Sequence, residues 1–459
     1  MNSSILILLP AVIVLISSCG SEPEEVKYDL FSEVWAGEAG GDIFAFQFNQ
    51  DAESDGPGVI HSLRDGRKYS ELPITTISWE PPNLEIYMSA TGVTYTGEML
   101  ENVISGEISY GGEILSSMDL VWTPKSDLPG LNALTGEYIY SQPAQLDDGI
   151  PTALSTTHGI SEETIREIVA AIESGNAGLI HSLLIASDGE LIVEEYFHGY
   201  TADDPHRLLS VTKSVSSLLI GIAIDQGRID SVTVPLSLYF TEADPQLNLR
   251  HLLMMSLGLD WTDDEAENVH GTGEAFFSEV LGRETVTEPG TAFRYVNADV
   301  NLLSGILRQS TGMYPDEFAE EFLFDPLGIE TYEWSFGESD GHRSMDGSLR
   351  LRPRDMVKLG LLVLNNGVWN GEQIISEDWI SESTAVYLVS DENLSYGYLW
   401  WIGSVPQGEG ESKVILANGW GSQFIMVVPD AGLVITVTGG NEDNGKHWRI
   451  IPLLEEILI

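Results

Sequence analysis

The sequence predicts an α+β domain over residues 151–459, preceded by a small all-β barrel or sandwich over residues 33–123. Three observations carry this. Before Trp122, short runs alternate apolar and polar residues and are divided by Gly, Pro and Asn. Beyond Ile150, apolar residues recur at helical spacing. Apolar strands then return only near the C-terminal end, so the second sheet takes its edges from both ends of its domain. With 459 residues and 43% hydrophobic content, the chain is long enough for two cores.

The chain opens "MNSSILILLPAVIVLISSCGSEPEE". The run Ile5 to Leu15 is apolar but too short to span a bilayer. Ile16-Ser17-Ser18-Cys19 reads as a bacterial lipobox, which predicts removal of residues 1–18, acylation of the Cys19 sulfur and a tether over residues 19–32. The expected location is therefore the periplasm or the outer membrane, and the only membrane contact expected is that anchor. A plain secretory signal with an incidental cysteine is the alternative, since no Lys or Arg precedes the apolar run. Cys19 is the single cysteine, so the mature chain has no internal disulfide and no thiolate metal site. No cofactor is expected. Asp plus Glu number 71 against 21 Lys plus Arg, a net charge of −50, which makes nucleic acid and anionic lipid poor partners.

In "DIFAFQFNQD", Phe44, Phe46 and Phe48 alternate with Ala45, Gln47 and Asn49, the period of a half-buried strand. "NLEIYMSA", "VTYTGEML" and "ISGEISY" follow at short spacing, so six to nine strands are expected. His61, the only histidine there, reads as a surface loop residue. Residues 124–150 read as a linker.

Ser161 is an N-cap with Glu162 and Glu163 in the first turn, and Ile165, Ile168, Val169 and Ile172 form one stripe. "SLLIASDGELIVEEYF" is a hairpin turning at Asp188-Gly189. Helices are expected over Val211 to Asp225, Asn248 to Leu257, Val300 to Ser310 and Pro353 to Leu364. "FIMVVPD" and "GLVITVTG" are the returning strands.

Three local patterns carry chemistry. Ser210 and Lys213 in "SVTKS" sit at a helix start, where the dipole favours a developing negative charge, and i,i+3 spacing puts them on one face. The pair fits a solvated serine and lysine beside a core helix as well as a nucleophile with its base; the lysine amine takes the hydroxyl proton only where burial or a neighbouring cation lowers its pKa enough to leave it neutral. In "FRYVNADV", Phe293 to Val296 reads as a short strand, with Tyr295 and Asn297 on the same side. In "ANGWGSQF", Gly419 and Gly421 flank Trp420, and small residues let a backbone N–H approach a bound carbonyl.

Together and in this order the three patterns resemble the serine β-lactamase and penicillin-binding-protein family, nearest its class C-like branch with esterases and 6-aminohexanoate-dimer hydrolases. "RHLLMMSLGLDW", "FLFDPLGIETYEW", "LRLRPRDMVKLGLLVLNNGVWNG" and "YGYLWWIG" extend the resemblance from about Ile180 to the C-terminus. It implies a β-lactamase-like fold, an antiparallel sheet with a helical subdomain. It also implies Ser210 as the acylated nucleophile, Lys213 and Tyr295 as the proton-transfer pair, Asn297 as a substrate-positioning amide, and an oxyanion site between the N–H groups of Ser210 and Trp420, beside Gly419. Where β-lactamases read K-T-G or H-T-G, this chain reads Ala417-Asn418-Gly419. Ala417 has no charge for a substrate carboxylate, and Trp420 offers an apolar wall, with Trp400 and Trp401 nearby but reading first as core. The expected activity is hydrolysis of small, uncharged esters or amides. The alternatives are a β-lactamase or D,D-peptidase, and a surface lipoprotein with a binding role.

Overall fold

The computed structural model describes residues 30–31, 34–49, 56–131, 138–260, 273–335, 342–390, 394–407, 410–442 and 444–457. The leader, Cys19 and all but two residues of the tether lie outside the described residues. No described helix is long and apolar enough to cross a membrane.

Nine antiparallel strands between Val34 and Thr123 form one sheet, in the spatial order fourth, third, second, first, ninth, eighth, seventh, sixth, fifth. Every neighbouring pair except the first and ninth is a sequential hairpin, so this is an up-and-down barrel whose unpaired seam falls between its fourth and fifth strands. Phe46 and Phe48 enter its single core with Trp35, Ile86, Tyr95 and Leu120. Phe44 stays half-buried, and Ala45, on the opposite face, is buried against Val34, Leu63 and Leu128. Leu128 belongs to the chain leaving the barrel, which covers that outer face.

The linker is not loose where it is described. Tyr140 is buried, donates its hydroxyl to Ile192 O at 2.8 Å and accepts the Ser155 N–H at 2.8 Å. Arg354 Nη1 reaches Asp148 Oδ2 at 2.7 Å, while its Nε and Nη2 grip the Glu194 carboxylate. Residues 138–150 are thus stitched along the second domain.

That domain is an eight-stranded antiparallel sheet with edges from both ends of the domain, as expected: the strand Glu190–Tyr196 at one side and Leu388–Val389 at the other. Asp188 (φ 48°) and Gly189 (φ 84°) form the hairpin turn, both left-handed as the right-handed strand twist demands. The helices Glu162–Glu173, Val211–Asp225 and Pro353–Leu364 form where periodicity puts them. The segment expected to be helical from Asn248 is helical only over Leu249–Leu253, and the one from Val300 divides into Asn297–Val300 and Leu302–Thr311. One core lies between sheet and helical layer, and a second lies on the opposite sheet face under Glu162–Glu173.

His61 corrects a sequence expectation. It is buried on the strand Gly58–Arg64, with Nδ1 3.4 Å from Glu71 Oε1, because the barrel packs that edge against the second domain. Across this junction the Lys68 N–H donates to His198 O at 3.1 Å and Arg67 pairs with Asp204 at 2.6 Å. Behind it, His181 Nδ1 and His206 Nε2 share a hydrogen bond at 2.7 Å, and His181 stacks on Tyr200. Burial holds His181 and His206 well below the ordinary histidine range, and lowers His198 to about 3.

The native state therefore binds fewer protons than the unfolded chain once pH falls below about 6.5, and stability falls from there towards the folded-state values. Each such histidine contributes up to about 1.4 kcal/mol per pH unit in that window. Urea unfolding at pH 7 and pH 5 is expected to show the loss, and His198→Asn to flatten the slope by about 1 kcal/mol per pH unit. An unchanged slope in the variant would remove His198 from the account.

Candidate active site

The strand His206–Arg207 leads into Leu208, whose N–H donates to Leu349 O at 2.9 Å. Leu209 then takes φ 48°, a left-handed conformation that costs a non-glycine residue about 1 kcal/mol and turns the chain sharply into the helix Val211–Asp225. Ser210 is the N-cap of that helix, yet its hydroxyl caps none of the helix N–H groups. Instead Lys213 Nζ, one turn on, donates to Ser210 Oγ at 2.8 Å.

The helix is buried from Val211 through Ala223, so its polar side chains must find internal partners. Lys213, 1% exposed, makes its second hydrogen bond to Asp346 O at 2.7 Å. No described carboxylate lies within ion-pair distance of it. Ser216 Oγ donates to Met345 O at 2.8 Å, and the Met345 N–H donates to Asn301 Oδ1 at 2.8 Å, so the loop that presents the Asp346 carbonyl is fastened on both sides. Ser214 Oγ donates to Leu399 O at 2.8 Å and fastens the turn before Trp400 and Trp401.

Tyr295 lies with its ring centroid 5.1 Å from Lys213 Nζ. Its ring stacks on Trp401 at 5.7 Å and meets Phe293 and Tyr396 at steeper angles. Trp400 is buried in the core and Trp401, the adjacent residue, faces Tyr295, as strand alternation requires. The expected strand Phe293 to Val296 does not form: the segment has no partner strand, although Val296 is extended. Asn297 begins the helical turn Asn297–Val300 and is exposed, so the reading that placed it beside Tyr295 by strand geometry fails. It remains two residues from Tyr295 along the chain.

Gly419 closes the far side. A Cβ there would stand 2.3 Å from Leu208 O and 3.2 Å from Ser210 N, so only glycine lets the strand Gly410–Gly419 approach the nucleophile turn this closely. Ala417, on the same face, is fully buried against the helical layer, while Asn418 points to the opposite face and meets His447. A longer side chain at Ala417 would therefore meet the helical layer. Trp420 follows at the turn, 57% exposed, with its indole stacked on His447.

A cavity of about 430 Å³ adjoins Leu209, lined also by Arg207, Asp346, Gly347 and Arg350. Its two guanidinium groups have acidic partners, Glu442 at 3.7 Å and Glu333 at 3.4 Å, so it presents no unmatched cation.

The structure thus brings Ser210, Lys213, Tyr295 and Gly419 together and sets Trp420 at the edge. Asp346 and His447 complete the surroundings and carry no sequence motif, whereas Trp401, read first as core, faces Tyr295.

Comparison with known proteins gives the family and the fold. Over 298 residues the chain is 22% identical to the 6-aminohexanoate-dimer hydrolase of Paenarthrobacter ureafaciens, covering 58% of this chain and 74% of that one. It shares its fold with a putative β-lactamase from Bacteroides dorei, at TM-score 0.54 and 18% identity over 64% of this chain and 98% of that one. A family VIII carboxylesterase superposes at TM-score 0.51 and 17% identity, over 64% and 97%. The Beta-lactamase family model matches residues 165–451, a stretch that holds Ser210, Lys213, Tyr295 and the Gly419 turn, and the chain belongs to that family.

Proposed function

We propose that the protein is a serine hydrolase that cleaves small, uncharged carboxylic esters or amides through an acyl-enzyme. The observation that carries this is the 2.8 Å contact from the buried Lys213 amine to Ser210 Oγ, made at a helix start against which Gly419 is closely packed. Ser210 Oγ attacks the substrate carbonyl carbon, and its proton passes to the Lys213 and Tyr295 pair. The carbonyl oxygen becomes an oxyanion, held by the N–H groups of Ser210 and Trp420. The C–O or C–N bond then breaks, and the leaving group departs with the proton returned by the pair. Water, deprotonated by the same pair, releases the acid and restores Ser210. Asn297 is the amide that orients the substrate.

The substrate class rests on Ala417. A β-lactam or peptide carboxylate entering here forgoes a charge-assisted hydrogen bond worth about 1.5–3 kcal/mol, roughly tenfold to a hundredfold in binding. The neighbouring arginines are already matched by carboxylates, and the −50 net charge adds repulsion that salt screens. A neutral ester loses nothing and can pack on Trp420 and Trp401. Catalytic efficiency on short-chain nitrophenyl esters is therefore expected to exceed that on a chromogenic cephalosporin by at least about a hundredfold. Cephalosporin turnover matching the best ester would replace this reading by a β-lactamase.

A further inference from the structure

The turn Trp420–Gly421–Ser422 is held by Gln423, whose Nε2 donates to Trp420 O at 3.4 Å and Gly421 O at 3.1 Å, by Asn441, and by His447, which alone links the turn to Asn418. Ser422 has φ 71°, a left-handed conformation unfavourable for a residue with a Cβ, so something outside the turn must maintain it. The Ser422 N–H donates to His447 Nδ1 at 2.8 Å, and Ser422 Oγ donates to His447 O at 2.6 Å. Asn441 Nδ2 donates to Ser422 Oγ at 3.0 Å. On its other side His447 Nε2 lies 3.0 Å from Asn418 Oδ1.

These contacts settle the tautomer. A backbone N–H can only donate, so Nδ1 is the acceptor and the ring proton sits on Nε2, directed at the Asn418 amide oxygen. The imidazole therefore spans the turn, tying the residue before Gly419 to the residue after Gly421, while its face supports the Trp420 indole at 5.5 Å and 22°. Phe424 and Trp448 pack against the same ring. Burial lowers its pKa to about 4, so the neutral form that this geometry needs persists at neutral pH.

We propose that His447 is a positioning residue for the oxyanion donor: by clamping Asn418 and Ser422 it fixes the direction of the Trp420 N–H and the lie of the Trp420 indole over the site. This rests on the reading of Trp420 N–H as an oxyanion donor. His447 touches no reacting atom in that scheme. It acts through the turn, as the outer partners of a well-ordered site do.

The test compares His447→Phe, which keeps a flat ring under Trp420 but removes both polar atoms, with His447→Gln, whose amide can accept from Ser422 and donate to Asn418. For His447→Phe, kcat on a neutral nitrophenyl ester is expected to fall about a hundredfold with KM within about threefold, as for loss of an oxyanion donor. The inhibition constant of an arylboronic acid, whose tetrahedral adduct on Ser210 occupies the same hole, is expected to rise by a similar factor. His447→Gln is expected to recover at least about tenfold of the loss. If His447→Phe does not fold, judged by its melting temperature, Asn418→Ala is expected to show the same kcat and boronate pattern at about a tenth of the size. A kcat near wild type in His447→Phe, an equal loss in both His447 variants, or a loss confined to KM would overturn the proposal. Wild-type protein that fails to label at Ser210 with a fluorophosphonate would instead sink the serine-hydrolase reading beneath it.

Discussion

Ser210→Ala is expected to abolish fluorophosphonate labelling and to lower ester turnover by at least about four orders of magnitude. The size follows from what the hydroxyl does in the proposed cycle: with Oγ gone no acyl-enzyme forms, and only binding and the oxyanion donors remain to assist direct attack by water. The fold is expected to tolerate the change, since Ser210 Oγ caps no helix N–H and the methyl occupies space already present. The substitution takes away the acceptor of one Lys213 Nζ hydrogen bond and leaves the other, to Asp346 O, in place. An unchanged melting temperature with lost labelling isolates the chemical role. Labelling that survives would place the nucleophile elsewhere.

Lys213→Ala and Tyr295→Phe are each expected to reduce kcat/KM by about 10³-fold or more, and the double variant by about the same factor, because groups that move one proton as a unit are not additive. The structure adds a reason for coupling: the Lys213 amine lies 5.1 Å from the Tyr295 ring centroid, so a change in either alters the surroundings of the other. Lys213→Ala also leaves a buried void and an unpaired Asp346 carbonyl, so its stability is expected to drop, whereas Tyr295→Phe keeps the stack on Trp401 and is expected to melt near wild type. Steady-state kinetics with thermal melts separates the two effects. Losses that multiply in the double variant would assign independent roles to the two residues.

Much of the architecture was legible from periodicity, because it depends on neighbours along the chain. The helix Val211–Asp225 and the turn at Asp188–Gly189 follow from 3.6-residue spacing and from a left-handed requirement that Asp-Gly meets. Ser210 and Lys213 were legible for the same reason: residues three apart at a helix start share a face whatever surrounds them. The expected strand at Phe293 to Val296 failed because a strand needs a partner, and no window of sequence contains one. His61 was misread because the surface it faces belongs to another domain.

The sequence by itself determined two domains, their sheets and main helices, and the Ser210 and Lys213 pair, all consequences of local geometry. Tyr295, Asn297, Gly419 and Trp420 were named through the family resemblance, and only the tertiary structure decided how the site's side chains are held. Lys213 is anchored by the carbonyl of Asp346, an atom every residue carries and no motif can mark. Gly419 matters because Leu208 O and Ser210 N stand where its Cβ would be. Tyr295 meets Trp401, and His447 reaches back to Asn418 and Ser422, across more than 20 residues. Such contacts depend on how packed layers bring distant segments together, a property of the whole chain that composition and spacing do not contain.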